Sequence, residues 1–271
     1  MTREPLIPDL DLVRRCQAIV AEACAARVQN IADRPGNPLG AGVRRWGGAT
    51  AVRAPAFGEN LFNHAFGFSD DTLDAAREAI AWYADENVPA AFEIAPGVRT
   101  EGLMALLHAN GYRQTGFHTA FAGWSDGPSV SAPGVEVRRV ESDDDLEAFT
   151  DAYHLGWNRT EFRVPTRPWL AAGWRLYLGV CDGHPAGAAI LTLHAGDAYL
   201  ADASVDPAWR NRGVHRALID ARCADAAAAG CEVAFVGADY AGGSSRNMVR
   251  KGLAVLYTKA IWTLRQPNAA G

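Results

Sequence analysis

The chain has 271 residues, of which 49% are apolar and 21% charged, and its formal net charge is −5. Such a length suits one large domain or two of ordinary size, and the composition is that of a globular protein. No Lys/Arg run stands out, which argues against a nucleic-acid partner, because a phosphate backbone calls for clustered cations; no apolar run approaches the ~20 residues that span a bilayer.

The first thirty residues mix Glu4, Asp9, Asp11, Arg14 and Arg15 with apolar positions. That pattern predicts an amphipathic helix and not a signal peptide, so a cytoplasmic location is expected. Cys16, Cys24, Cys181, Cys223 and Cys231 form no CxxC pair, and several lie in apolar runs. They read as reduced core residues, with no disulfide and no metal expected. Arg44-Arg45-Trp46-Gly47-Gly48 is unusual for a core strand and is a candidate for facing a cleft between two halves.

Leu61 to Phe68 is strand-like, and Ser69 with Asp70 supplies a helix cap. The helix runs on through Leu73, Ala76, Ile80 and Ala81. Ala90 to Ile94 follows as a buried strand, Leu103 to Leu107 as a helix ended by Gly111, and Phe117 to Phe121 as a strand. From Ser125 to Gly134 turn formers crowd together without apolar periodicity. A linker at 127–134 therefore separates a domain at 1–126 from one at 135–271.

In the second half, Tyr199 to Val205 reads as a strand closed by Asp206-Pro207. A glycine-bearing turn leads into a helix from Val214 to about Ala229, whose apolar positions keep helical spacing, and Gly230 suits the left-handed residue beyond its end. Val233 to Val236 is a strand buried on both faces. A helix over Ser245 to Lys251, stopped by Gly252, and a strand over Val255 to Leu264 complete the half. Strand, helix, strand, helix, strand thus occurs twice, the mark of an internal duplication and of an α/β fold with a mixed sheet in each half.

The chemistry concentrates in Arg210-Asn211-Arg212-Gly213-Val214-His215-Arg216. A strand passing through a cation-rich turn into a helix presents unpaired N–H groups and the positive end of the helix dipole. This is an anion site suited to a diphosphate, and Gly213 lets the backbone approach it. The segment resembles the GNAT superfamily of acyl-CoA-dependent N-acyltransferases, whose signature is Gln/Arg-x-x-Gly-x-Gly/Ala after a strand ending in Val-x-Pro. Arg210 and Gly213 match its first fixed positions and Val205-Asp206-Pro207 its lead-in, while His215 replaces the final Gly/Ala. The likeness continues through the long helix to Ser244-Ser245-Arg246-Asn247 and Gly252-Leu253.

The resemblance implies two GNAT-like domains in tandem, the second binding acetyl-CoA or another short acyl-CoA as co-substrate and passing the acyl group to an amine of a small molecule or peptide. Ala203, Ser204 and Val205 would line the acyl group, with residues Arg210 to Arg216 on the diphosphate. Asn247 would reach the pantetheine arm or cap its helix. The turn in the first half, Gly67-Phe68-Ser69-Asp70-Asp71, has no arginine and two carboxylates, so that copy is expected to bind no CoA.

Family enzymes often use a carboxylate as base and a tyrosine as acid. The tyrosine position, four residues before the glycine that ends the second helix, is Met248 here. Asp202 is a candidate base, the alternative being that strand alternation points it away. Tyr257 is a candidate acid or else a half-buried strand residue. His154 and Glu161 lie where substrate-facing elements would be, within reach of the polar and aromatic run Trp157 to Phe162; His194 reads as a surface residue and Trp209 as a lid on apolar surface. The missing tyrosine also leaves open a non-catalytic acyl-CoA-binding module.

Overall fold

The computed structural model describes residues 4, 6–57, 62–127, 132–157 and 166–264. The chain divides into two compact units, each assembled from two separate stretches. The N-terminal unit is Pro8–Thr119 with Tyr257–Gly271, and the C-terminal unit is Met1–Ile7 with Ala120–Leu256.

The N-terminal unit starts with α1 (Leu10–Ala32), as the amphipathic pattern predicts. Asp9 caps it, its side chain accepting from Leu12 N at 2.8 Å, and Leu12, Cys16, Ile19, Ala23 and Ile31 are buried. Next come β1 (Gly42–Trp46) and β2 (Ala49–Arg53), an antiparallel hairpin, then β3 (His64–Phe66), α2 (Leu73–Ala84), β4 (Ala91–Ile94), α3 (Glu101–Ala109) and β5 (Tyr112–Trp124). Within this unit β3 pairs antiparallel with β2 and parallel with β4. Tyr83, Phe92 and Tyr112 meet edge to face at the centre of its core.

The C-terminal unit carries β6 (Val135–Arg139), α4 (Asp143–Gly156), α5 (Arg167–Ala171), β7 (Arg175–Cys181), β8 (His184–His194), β9 (Asp197–Tyr199), β10 (Ala203–Val205), α6 (Val214–Ala228), β11 (Val233–Ala238) and α7 (Gly243–Arg250). Strands β6, β7, β8 and β9 are antiparallel neighbours, and β11 then joins β9 in parallel. Helix α6 packs Leu218, Ile219, Cys223 and Ala226 into a core with Ala189, Leu191, Phe235-flanking Ala234 and Val236. Gly230, at φ 82°, ends this helix in the left-handed conformation that its identity predicts.

The last strand, β12 (Ala254–Leu264), starts in the C-terminal unit and finishes in the N-terminal one. There it runs antiparallel to β4, with Ala260 opposite Ile94 and Trp262 opposite Phe92. Conversely, Ala120 to Trp124 of β5 belong with the C-terminal unit. The expected cut at 127–134 is therefore not where the packing divides: each half gives the end of its last strand to the other unit. Residues 128–131 of that linker lie outside the described residues.

The duplicated order is real and longer than the sequence suggests. Helix, hairpin, strand, helix, strand, helix, strand describes α1 to β5 and also, with the short α5 added after α4, β7–β8 as the hairpin and β9–β10 as one interrupted strand, α4 to β12. Two readings need correction. The strand expected from Leu61 to Phe68 is only His64–Phe66; Leu61 lies outside the described residues, and Asn63, whose carbonyl accepts from Ala91 N of β4 at 2.9 Å, takes a hydrogen bond from Ala54 N on its side-chain oxygen at 2.7 Å. Arg44 to Trp46 is β1, and its side chains work inside their own unit: Arg44 over the Trp82 ring, Arg45 on Glu22, Trp46 on Glu78.

Candidate active site

The strand expected from Tyr199 to Val205 is interrupted, and the interruption shapes the site. Strand β9 meets β8 with Thr192 opposite Tyr199, whereas β10 meets it with Ala189 opposite Ala203. The register has shifted by one residue, so 200–202 form a bulge on the β9–β10 side. Ile190 N still donates to Asp202 O, at 2.9 Å. On the other flank, β9 pairs with β11 only at Ala198–Ala234 and Tyr199–Phe235, after which Leu200 N donates to Phe235 O at 2.8 Å. Beyond that point β10 stays with β8, and the parallel strands part. Among the described residues no β10–β11 pairing follows, and a slot opens between them.

The arginine-rich turn lies directly after β10. Asp206 caps a short 3₁₀ turn over Pro207–Trp209 by accepting from Ala208 N at 2.9 Å. Asn211 (φ 65°) and Gly213 (φ 90°) take left-handed conformations, which aim the chain into α6. At Gly213 the reason for glycine is steric: a Cβ would sit 3.0 Å from that of Ala132 and 3.4 Å from the Arg216 guanidinium. The N–H groups of Val214, His215 and Arg216 open the helix and have no acceptor among the described residues. They fit an anion such as a diphosphate.

The four basic side chains of the turn do different things. Arg210 donates to Val205 O and to Gly156 O, both at 3.3 Å, so it ties the turn to β10 and to the end of α4. Arg212 lies over the Trp209 ring and pairs with Asp182 at 2.9 Å, while His184 stacks beside that ring. Trp209 is thus gripped by both and is more than a lid. Arg216 has no ion pair among the described residues and is the cation left for a ligand. His215 turns inward to Asn247, with Nδ1 and Nδ2 at 3.0 Å. Burial, helped by the nearby Arg222, lowers its pKa to about 4, so it is neutral at pH 7. Asn247 lies inside α7, whose cap is Gly242, which removes the capping alternative.

Along β10, Ser204 faces α4, its hydroxyl donating to Tyr153 O at 3.1 Å. Ala203 and Val205 face the opposite side and pack on the core beneath α6. Helix α4 lies so close that a Cβ on Gly156 would come within 2.4 Å of Ser204 Cβ. Asp202, in the bulge, accepts a hydrogen bond from the Tyr153 hydroxyl at 2.6 Å. Tyr153 in turn packs between Phe149, His154 and Trp169. Met248 is buried in the apolar core and offers no proton.

Tyr257 belongs to the N-terminal unit. Its hydroxyl reaches Cys16 Sγ at 3.6 Å, and with Gln17, Phe66, Glu93 and Lys259 it lines a small cleft there. Burial opposes the ionised form of Glu93, but the Lys259 ammonium and His64 hold its carboxyl well below the usual range. His154 is buried on α4, His194 is exposed at the end of β8, and Glu161 lies outside the described residues. The structure therefore gathers Asp202 to Val205, the turn and Asn247 into one unit and leaves Tyr257 in the other. Two residues that sequence reasoning missed stand out, Tyr153 and Arg222. Neither sits in a motif; only the fact that arginine is rare in a helix's apolar face could have flagged Arg222.

Among the described residues no group of three His, Cys, Asp or Glu could hold a metal ion, and no helix is long and apolar enough to cross a membrane. The C-terminal unit is thus a mixed α/β domain in which a bulged strand parts from its parallel neighbour beside an amide-lined helix start. Residues 144–253 match the Acetyltransferase (GNAT) family, so the C-terminal unit carries a GNAT domain. A GCN5-related N-acetyltransferase from Kribbella flavida shares the fold with a TM-score of 0.66 and 18% identity, over 93% of this chain and 98% of its own. One from Sphaerobacter thermophilus gives 0.59 and 17%, over 92% of each chain. A tandem GNAT protein from the clavulanic acid biosynthesis pathway gives 0.56 and 14%, over 96% of each. No protein of curated function matches the sequence.

Proposed function

We propose that this chain moves an acetyl or other short acyl group from acyl-CoA to an amine of a small molecule or peptide in the cytoplasm. The observation that carries the reading is the row of unbonded amides at the start of α6, set beside the parting of β10 from β11. Val214 to Arg216 would hold the diphosphate, Arg216 adding charge, and Ala203 to Val205 would border the acyl group. Asn211, Arg212 and His215 shape the turn, and Asn247 steadies His215. The N-terminal unit is read as binding no acyl-CoA: its corresponding turn carries Asp70, whose carboxylate already accepts from Leu103 N at 3.0 Å.

In the transfer, the amine nitrogen bonds to the carbonyl carbon, the carbon–sulfur bond breaks, and the thiolate leaves. Asp202 is the proposed base for the amine proton; Tyr257, held in the other unit with its hydroxyl on Cys16, is not called on, and the thiolate, already a good leaving group, takes its proton from water. Direct attack, without an enzyme nucleophile, is favoured because burial pushes the Cys223 thiol up to about 11 and keeps it protonated.

Titration of acetyl-CoA into the full chain, followed by a panel of amines assayed for CoA release, tests the proposal. Gly213→Glu adds a charge and a side chain where the anion should sit, so affinity should fall at least ~10-fold. Asp202→Asn should lower turnover by ~10²–10⁴ with affinity nearly unchanged. No binding by the wild type would overturn the reading. Binding without acylation of any amine would favour a non-catalytic acyl-CoA-binding module.

A further inference from the structure

A fully buried guanidinium lies under the bulge that opens the slot. Arg222, on α6, is completely shielded from solvent. Its Nε donates to Leu218 O at 2.9 Å, one turn back on the same helix. Its Nη1 donates to Ile190 O at 3.0 Å and to Ala201 O at 3.1 Å.

Those two carbonyls explain why a charge is placed there. In an antiparallel strand, a residue's N–H and C=O point to the same neighbour. Ile190 directs both at the bulge; its N–H finds Asp202 O, but the one-residue slip leaves its C=O without a ladder donor. Ala201, inside the bulge, likewise has no register partner on β8. A buried carbonyl left unbonded is costly, and an unbulged register would remove that cost by closing the ladder. The bulge persists if something else supplies the donors.

We infer that Arg222 is a positioning residue that holds the acyl slot open, by supplying from α6 the hydrogen bonds that the bulged strand cannot obtain from β8. An arginine suits the task because its forked donors reach one carbonyl on its own helix and two on the sheet at once, whereas a lysine ends in a single nitrogen. Burial lowers its pKa to about 10, and the neighbouring Asp202 carboxylate helps to keep it charged at neutral pH. The same guanidinium thus fixes the backbone immediately before Asp202 and the β8 residue that pairs with it. This inference rests on the C-terminal unit being the acyl-CoA site.

The test uses the full chain as wild type, Arg222→Met and Arg222→Lys. Two quantities are read on each: acetyl-CoA affinity by calorimetry, and amide hydrogen exchange of peptides covering 198–204. Arg222→Met should speed exchange at 200–203 at least ~10-fold and weaken acetyl-CoA binding at least ~10-fold. Arg222→Lys should fall between it and the wild type, since one nitrogen can serve part of the set. Should the Met variant not fold, the Lys variant decides alone: weaker binding and faster local exchange support the role, and wild-type values in both overturn it. Exchange that rises evenly over the whole unit, with unchanged affinity of the folded protein, would mean that Arg222 merely stabilises the core and would overturn the inference. A wild type that binds no acetyl-CoA would sink the acyl-CoA reading, while local exchange in the variants would still tell whether Arg222 holds the bulge.

Discussion

His215 occupies a signature position where the family uses a glycine or alanine, and its environment gives it a measurable consequence. Its folded pKa is lowered to about 4, from 6.5, chiefly by burial. Between those values the unfolded chain takes up a proton that the native site refuses. The stability this neutral imidazole contributes is thus complete above about pH 6.5 and is lost as the pH falls towards 4. The loss has an upper bound of roughly 3 kcal/mol. Denaturant unfolding from pH 7 to pH 4 should therefore show a steeper decline in the wild type than in His215→Gln; parallel curves would mean that the imidazole is reached by water. At this scale some of the site was legible and some was not. Gly213 could be read because only glycine relaxes at φ 90° in a crowded turn. Tyr153 could not, since its role comes from a partner, Asp202, 49 residues away along the chain.

Between elements, α4 and β10 approach each other closely in the C-terminal unit. Gly156 has Ser204 Cβ within 2.4 Å of where its own Cβ would be. Gly156→Ala must push the helix off the strand or twist it, an overpacking cost of ~1–3 kcal/mol. Because Arg210 is tied to Gly156 O, the same change should also loosen the turn and weaken acetyl-CoA binding. A variant with wild-type melting temperature and affinity would show that α4 yields freely. A different clamp joins α6 to α7: buried Lys251 bonds Asp220 at 2.6 Å and Gly127 O at 3.0 Å. Elements defined by local signals, such as α1, α6 and β11, were readable from periodicity and terminal residues. The β1–β2 hairpin was not. Its strands carry Arg44 and Arg45 side by side, which breaks the apolar alternation; both stay exposed, Arg44 over the Trp82 ring and Arg45 on Glu22. The bulge was equally hidden, because nothing in Leu200-Ala201-Asp202 marks a slip; its cause lies on α6, in Arg222.

For the whole molecule, the repeated order of elements was evident in the sequence, but the exchange of final strand segments was not, because no local pattern says which sheet a strand will join. Tyr257–Leu264 lies in the N-terminal unit, where Ala260, Trp262 and Leu264 pack against the core. Removing residues 257–271 should therefore disrupt the unit at the opposite end of the sequence. Hydrogen exchange over β3 and β4 should rise sharply in that truncated chain, while α6 and β8 keep most of their protection. Equal protection of β4 in both chains would show that β12 is dispensable there.

That exchange also bears on how the protein is made. Lys259 closes an ion pair with Glu93, 166 residues earlier. At a translation rate of ~5–20 residues per second, about 10–30 s separate the synthesis of these two partners on the ribosome. Throughout that interval β4 has no β12 beside it, and a bare strand edge is a site for wrong pairing. Contacts this distant in sequence also slow folding, since a long loop must close before they repay its entropy. Vectorial synthesis usually lets the first-made domain fold first. Here the N-terminal unit cannot be completed until the chain from Tyr257 onward has been translated, after nearly all of the C-terminal unit.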